Sequence, residues 1–84
     1  MGLLDNKIGI VTGAAQGFGL ASAERMAEQG ARVAMVDIKS DDVQASAKML
    51  RNKGHDVVAI VADVSSEADT VRMLDETEAA FGPL

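Results

Sequence analysis

The chain contains no cysteine, so no disulfide framework staples it and no thiolate binds a metal. Histidine is nearly as scarce: His55 stands alone, which excludes a His-rich metal cluster, and the sequence offers no metal site. Tyrosine and tryptophan are both missing. No apolar run approaches the roughly 20 residues that cross a bilayer, and the opening Met1-Gly2-Leu3-Leu4-Asp5 lacks the pattern of a signal peptide. Met1-Gly2 superficially resembles a myristoylation start, but Asn6 stands where that motif takes Ser or Thr. Positive charge is short as well. Eight Lys and Arg against 13 Asp and Glu leave a net charge of −5 and a pI near 4.6, which argues against nucleic acid or an anionic membrane as partner. A soluble cytoplasmic protein is the expectation.

What is present is a globular composition, 48% hydrophobic and 25% charged over 84 residues, the size of one small domain or of part of a larger one. A three-layer α/β fold of this length would be thin. Apolar, β-branched runs alternate three times with helix-period segments. Lys7–Thr12 (KIGIVT) reads as a strand. Gly17 to Gln29 reads as a helix with Leu20, Ala23 and Ala27 on one face and Met26 beside them, stopped by Gly30. Arg32–Asp37 (RVAMVD) is a second strand, apolar enough for burial on both faces. Ser40 is expected to cap a second helix, with Asp41 and Asp42 suited to its positive end and Val43, Ala47 and Leu50 facing inward. His55, just past Gly54, is assigned no role and is expected in solvent. Val57–Val61 is a third strand. Ser66 with Asp69 resembles a capping box, and Val71, Leu74 and Phe81 are expected to line a third helix ending at Gly82-Pro83.

The order is β-α-β-α-β-α. Short connections of this kind imply parallel strands joined by right-handed crossovers, in spatial order 3-2-1. This is half of a doubly wound sheet. Two helices should share one face and leave the other to the third helix. Ile8, Ile10, Val33, Met35, Val58 and Ile60 are expected on that thinly covered, partly wet face, and the first strand is left with an open edge.

Between the first strand and the first helix stands TGAAQGFG, Thr12 to Gly19, with glycines at 13, 17 and 19. Glycine costs about 0.5–1 kcal/mol relative to alanine inside regular structure, so three together ask for a reason. A turn needs one. In a parallel sheet this loop lies at the C-terminal strand ends, where the start of a helix offers unpaired N–H groups to an anion. Gly13 can turn the chain, Gly17 can admit a pyrophosphate to the backbone, and Gly19 can bring the helix close to the sheet. The spacing is not that of a phosphate loop, since no Gly-Lys-Ser/Thr follows.

Asp37 ends the second strand eighteen residues after Gly19. There a carboxylate can accept from both hydroxyls of an adenosine ribose and repel a 2′-phosphate, although a strand-terminal Asp also serves as a simple loop cap. Lys39 is a cation that could tolerate such a phosphate. Asp63 holds the equivalent place after the third strand, where it could accept from an adenine amino group while the Val64 N–H faces a ring nitrogen; it too can be read as a turn residue. Glu67, Asp75, Glu76 and Glu78 read as a solvated helix face.

TGAAQGFG resembles the T-G-x-x-x-G-[hydrophobic]-G fingerprint of the short-chain dehydrogenase/reductase family, with Phe18 where isoleucine or leucine is usual. Ala23, Met26, Ala27, Gly30 and Ala31 match that family's A-x-x-[LF]-A-x-x-G-A pattern. Asp37 matches its NAD-selective acid, and Asp63-Val64 its D-V pair. FGPL, Phe81 to Leu84, resembles the segment before the family's N-N-A-G strand. The resemblance covers the whole chain and about the first third of a usual member.

The resemblance implies a Rossmann-type three-layer α/β fold with NAD preferred to NADP. Residues 1–84 would form the N-terminal part of the cofactor domain, held to the cofactor through Gly13, Gln16, Gly17, Phe18, Gly19, Asp37, Ile38, Asp63 and Val64. It implies a parent that moves hydride between NAD(H) and a small carbonyl or secondary alcohol, as a homo-oligomer. The family's catalytic serine, Tyr-x-x-x-Lys pair and asparagine have no counterpart here, so no catalytic residue is assigned. A stand-alone module that binds NAD or ADP-ribose without catalysis is the competing reading.

Overall fold

The computed structural model describes residues 4–83, so the Met1-Gly2 start and Leu84 lie outside the described residues. The elements follow in the expected order: β1 Ile8–Thr12, α1 Gly17–Glu28, β2 Arg32–Asp37, α2 Ser40–Asn52, β3 Val57–Val61 and α3 Glu67–Phe81. All strand pairs are parallel and the sheet order is β1-β2-β3, with β2 in the middle. This is the βαβαβα unit of a Rossmann-type fold.

Side chains alternate across the sheet with period two, and the register decides which residues share a face. Ile10 is opposite Ala34, and Ala34 is opposite Val58. Val33, Met35 and Val57 therefore face α1 and α2, where they pack with Ala23, Ala27, Val43, Ala47 and Leu50. Ala34, Val36 and Ile60 face α3, with Ile8, Ile10 and Val58 packed beside them and Met73 and Phe81 above. The expected grouping of Val33 and Met35 with the partly wet residues is thus corrected. Both are fully buried beneath α1 and α2, and only Ile8, Ile10 and Val58 of that set are half-buried. Burial of Val33 to Val36 on both faces is why this strand reads as an unbroken apolar run.

The small residues of α1 let it lie low on β1. A Cβ at Gly9 would stand 2.0 Å from Met26 Cε, so the methionine fills the space that glycine leaves. At its far end, α1 is closed by bonds from the Gly30 N–H to Ala27 O and from the Ala31 N–H to Met26 O. The α2 helix ends in the same way, with the half-buried His55 donating its N–H to Leu50 O.

Two helix details differ from expectation. Lys39, not Ser40, is the N-cap of α2 and makes no side-chain cap bond; its carbonyl accepts the Val43 N–H and starts the helix one residue early. In α3 the buried stripe is Met73, Thr77 and Phe81, four residues apart, while Val71 and Leu74 are exposed. Thr77 can join that stripe because its hydroxyl donates to Met73 O at 2.8 Å, so no polar atom is left unpaired. Among the described residues no helix is long and apolar enough to cross a membrane.

Candidate functional site

The C-terminal ends of β1, β2 and β3 open into a cleft of ≈ 210 Å³ lined by Thr12, Gly13, Val36, Asp37, Ile38, Ala62, Asp63 and Val64. Five of the residues singled out from sequence, Gly13, Asp37, Ile38, Asp63 and Val64, therefore meet in one place. Gln16, Gly17, Phe18 and Gly19 form the adjoining loop and the first turn of α1 and do not line the cleft itself. Ile38 and Val64 are both exposed, an unusual state for aliphatic side chains flanking an opening. Phe18 is more so, at 94%.

The glycine loop is shaped by backbone demands at two positions. Gly13 and Gly17 have φ of 64° and 61°, in the left-handed region that costs other L-residues about 1–2 kcal/mol. Beyond the adjoining chain, no atom of the described residues lies within 4 Å of a Cβ placed at either, so it is conformation and open space that call for glycine there. Gly19 answers a different need. A Cβ at this position would stand 2.0 Å from Gly13 O, so the close approach is between the helix start and its own loop rather than the sheet.

Behind Gly17 the helix begins without help from side chains. Its N-cap, Gln16, is extended at φ −160° and makes no side-chain cap bond, and its first turn holds no acid. The first N–H groups of a helix have no partner within it, so the start of α1 presents donors and the positive end of the dipole to the loop region.

Asp37 ties this loop to the next. Its Oδ2 accepts the Ala15 N–H at 3.1 Å and its Oδ1 accepts the Lys39 N–H at 3.0 Å. The Lys39 backbone donor, aided by that of Ala15, holds the carboxyl below the usual aspartate range against a smaller desolvation effect. The group is thus an anion with one oxygen on each flank of the cleft edge. Asp63 is anchored locally: its Oδ1 accepts both the Ser65 hydroxyl at 2.6 Å and the Ser65 N–H at 3.0 Å. The Ser65 hydroxyl, then its N–H, lowers the Asp63 pKa. That is turn behaviour, and it fixes the carboxylate on the cleft wall.

Three supporting residues carried no sequence signal that pointed to the site. Ser46 of α2 donates its hydroxyl to Ala15 O at 2.7 Å. Asp69 Oδ2 accepts the Asp63 N–H at 2.8 Å, and Arg72 donates to Val61 O at 2.6 Å. The expected capping box is therefore half formed. Ser66 Oγ accepts the Asp69 N–H at 3.3 Å, but the Asp69 carboxylate reaches past Ser66 to the cleft loop. The Ser66 N–H is taken by Asp63 O instead, at 2.9 Å. Among the described residues no group of three or more His, Asp or Glu is placed to hold a metal ion.

A chain with this loop and this sheet has many relatives. It is 40% identical over 82 residues to the NADP-dependent (R)-specific alcohol dehydrogenase of Lentilactobacillus kefiri, covering 96% of this chain and 32% of that one. It is also 40% identical over 82 residues to the 3-hydroxyacyl-CoA dehydrogenase type-2 of Drosophila melanogaster, covering 98% and 31%. A solved short chain dehydrogenase/reductase from Burkholderia phymatum, in complex with NAD, superposes with a TM-score of 0.93 at 32% identity, over 100% of this chain and 30% of that one. The chain spans about a third of the length of the curated relatives it matches. The family model for short chain dehydrogenases matches residues 7–84, and the chain belongs to that family.

Proposed function

We propose that these residues form the NAD-binding side of an oxidoreductase that moves hydride between NAD(H) and a small carbonyl or secondary alcohol. The observation that carries the reading is Asp37, an ionised carboxylate at the cleft edge with one backbone bond to each oxygen. Each oxygen keeps acceptor capacity for a second donor, which suits the vicinal hydroxyls of an adenosine ribose.

The residues fit the rest of the cofactor's adenosine diphosphate half. Ile38 and Val64 offer apolar surfaces on the two sides of the cleft, and Asp63 keeps Oδ2 for an amino donor. The space beside Gly13 and Gly17, with the N–H groups at the start of α1, suits a pyrophosphate. When bound, the nicotinamide supplies or takes the hydride.

The relatives differ in cofactor: the kefiri enzyme is NADP-dependent and the phymatum structure holds NAD. Asp37 is the feature that favours NAD in this chain, because a 2′-phosphate would place like charge against its carboxylate. Calorimetric titration with ADP-ribose and with its 2′-phosphorylated form tests this. We expect ADP-ribose to bind roughly tenfold or more tightly, in line with about 1.5–3 kcal/mol for hydrogen bonds to a charged group. Asp37→Ala with Ile38→Arg should reverse the order. An unchanged ratio would remove Asp37 from the role.

A further inference from the structure

We propose that Ser46, on α2, is a positioning residue for the glycine loop: its hydroxyl sets the orientation in which the loop presents backbone N–H groups to a pyrophosphate. The inference rests on the reading of the loop as a diphosphate cradle and adds a residue outside the glycine motif and outside the cleft lining.

The geometry converges on Ala15. Its N–H donates to Asp37 Oδ2 at 3.1 Å, and its carbonyl accepts from Ser46 Oγ at 2.7 Å. Ala15 is buried, at 5% exposure, beside Ala14 at 0%, and the Ala14 N–H donates to Val36 O at 3.0 Å. The loop is therefore pinned to β2 at two successive N–H groups and to α2 at one carbonyl. No peptide bond among the described residues is cis, and in a trans peptide C=O and N–H point in opposite directions. Fixing the Ala15 carbonyl toward α2 consequently turns the Gln16 N–H away from α2. Gln16 is the exposed residue that opens α1, so its N–H joins those of the first helical turn. The Ala15 N–H belongs to the preceding peptide, so without the Ser46 bond to its carbonyl the Ala15–Gln16 peptide loses that anchor and can rotate. The buried Ala15 carbonyl would then lose its partner.

Ser46 is well suited to this task. It sits one residue before Ala47, which is fully buried against the sheet, so its backbone is held by the core rather than by the loop it supports. The Ser46–Ala15 bond spans 31 residues of sequence. It makes the shape of the glycine loop depend on the docking of α2.

The test is titration of the 84-residue chain with ADP-ribose and with adenosine, for the wild type, Ser46→Ala, Ser46→Thr and Ser46→Cys. The wild type should bind ADP-ribose more tightly than adenosine, the difference being the pyrophosphate increment. Ser46→Ala should reduce ADP-ribose affinity about five- to tenfold, the size expected from one hydrogen bond, with adenosine affinity unchanged. Ser46→Thr retains the hydroxyl and should keep the increment. Ser46→Cys fills the same space with a weak donor and should lose it, which supplies the answer if Ser46→Ala loses its far-ultraviolet dichroism. An undiminished increment in Ser46→Ala and Ser46→Cys, or an equal loss of both ligands, would overturn the positioning role. A wild type without any increment would instead overturn the diphosphate reading itself, and with it the inference.

Discussion

Helices α1 and α3 both start where a strand leaves the C-terminal edge of the sheet, yet their first turns are built in opposite ways. The α3 turn satisfies itself. Ser66 Oγ accepts the Asp69 N–H, and Glu67 and Asp69 place negative charge at the positive end of the dipole. The α1 turn has no side-chain cap and no acid, and the chain enters it through Gly13 and Gly17, both in left-handed conformation. A helix start that the chain supplies with its own anions has no use for another. The helix start left bare is the one beside Asp37 and the cleft. On the proposed reading, the difference separates a helix start built for stability from one left open to a ligand.

Making the α1 start resemble that of α3 should have the largest effect. Gln16→Asp puts an acidic cap at an extended N-cap position, and such a cap stabilises a helix by about 1 kcal/mol. We expect a higher urea midpoint together with at least a tenfold loss of ADP-ribose affinity, since the new carboxylate takes the donors and repels phosphate. Stability gained with affinity retained would mean that the anion does not sit at the start of α1.

The converse change is smaller. Ser66→Ala removes the α3 cap and should cost about 1 kcal/mol, which lowers the Tm by roughly 4–8 °C for a domain of this size. ADP-ribose affinity should stay within about twofold, because effects at separate sites add independently. A tenfold loss would show that the α3 turn, through Asp69 and the Asp63 N–H, belongs to the binding machinery as fully as α1 does.

The same contrast explains what the sequence reveals. Elements and strand order follow from local pattern, and the strand limits agree to within a residue at Lys7. The bare start of α1 is legible because glycines are conspicuous and Asp37 follows at a telling distance. Ser46, Asp69 and Arg72 are not legible, since each acts on a backbone atom that only the tertiary fold brings near. In α3 the stripe of Met73, Thr77 and Phe81 is hidden by a threonine whose hydroxyl turns back onto its own helix, so Val71 and Leu74 look like the inward residues. The two faces of the sheet are confused for a related reason. Alternation tells which residues of one strand go together, and only the register tells which residues of the next strand join them.

The smallest expected effect concerns the two aspartates of the cleft. Asp37 is held by backbone donors from two different loops, at Ala15 and Lys39, whereas both of the Asp63 side-chain bonds come from Ser65 in its own loop. Both pKa values are lowered by these donors. For a carboxyl depressed on folding, the stabilisation is present above the unfolded pKa, about 4 for aspartate. It is lost as the pH falls through the lower folded value. Between pH 7 and pH 5 both groups stay ionised, so neither stability nor ADP-ribose affinity should change on their account. Below about pH 4 the two groups part company. Protonating Asp37 weakens the junction between the glycine loop and the start of α2, while protonating Asp63 loosens a single turn. Asp37→Asn should therefore be less stable than the wild type at pH 7 and flatten the acid limb of the stability curve more than Asp63→Asn does, measured by urea unfolding from pH 7 to pH 3. Equal acid slopes in the two variants would remove the distinction, and Asp37 would then be a local cap like Asp63 rather than the link between two loops.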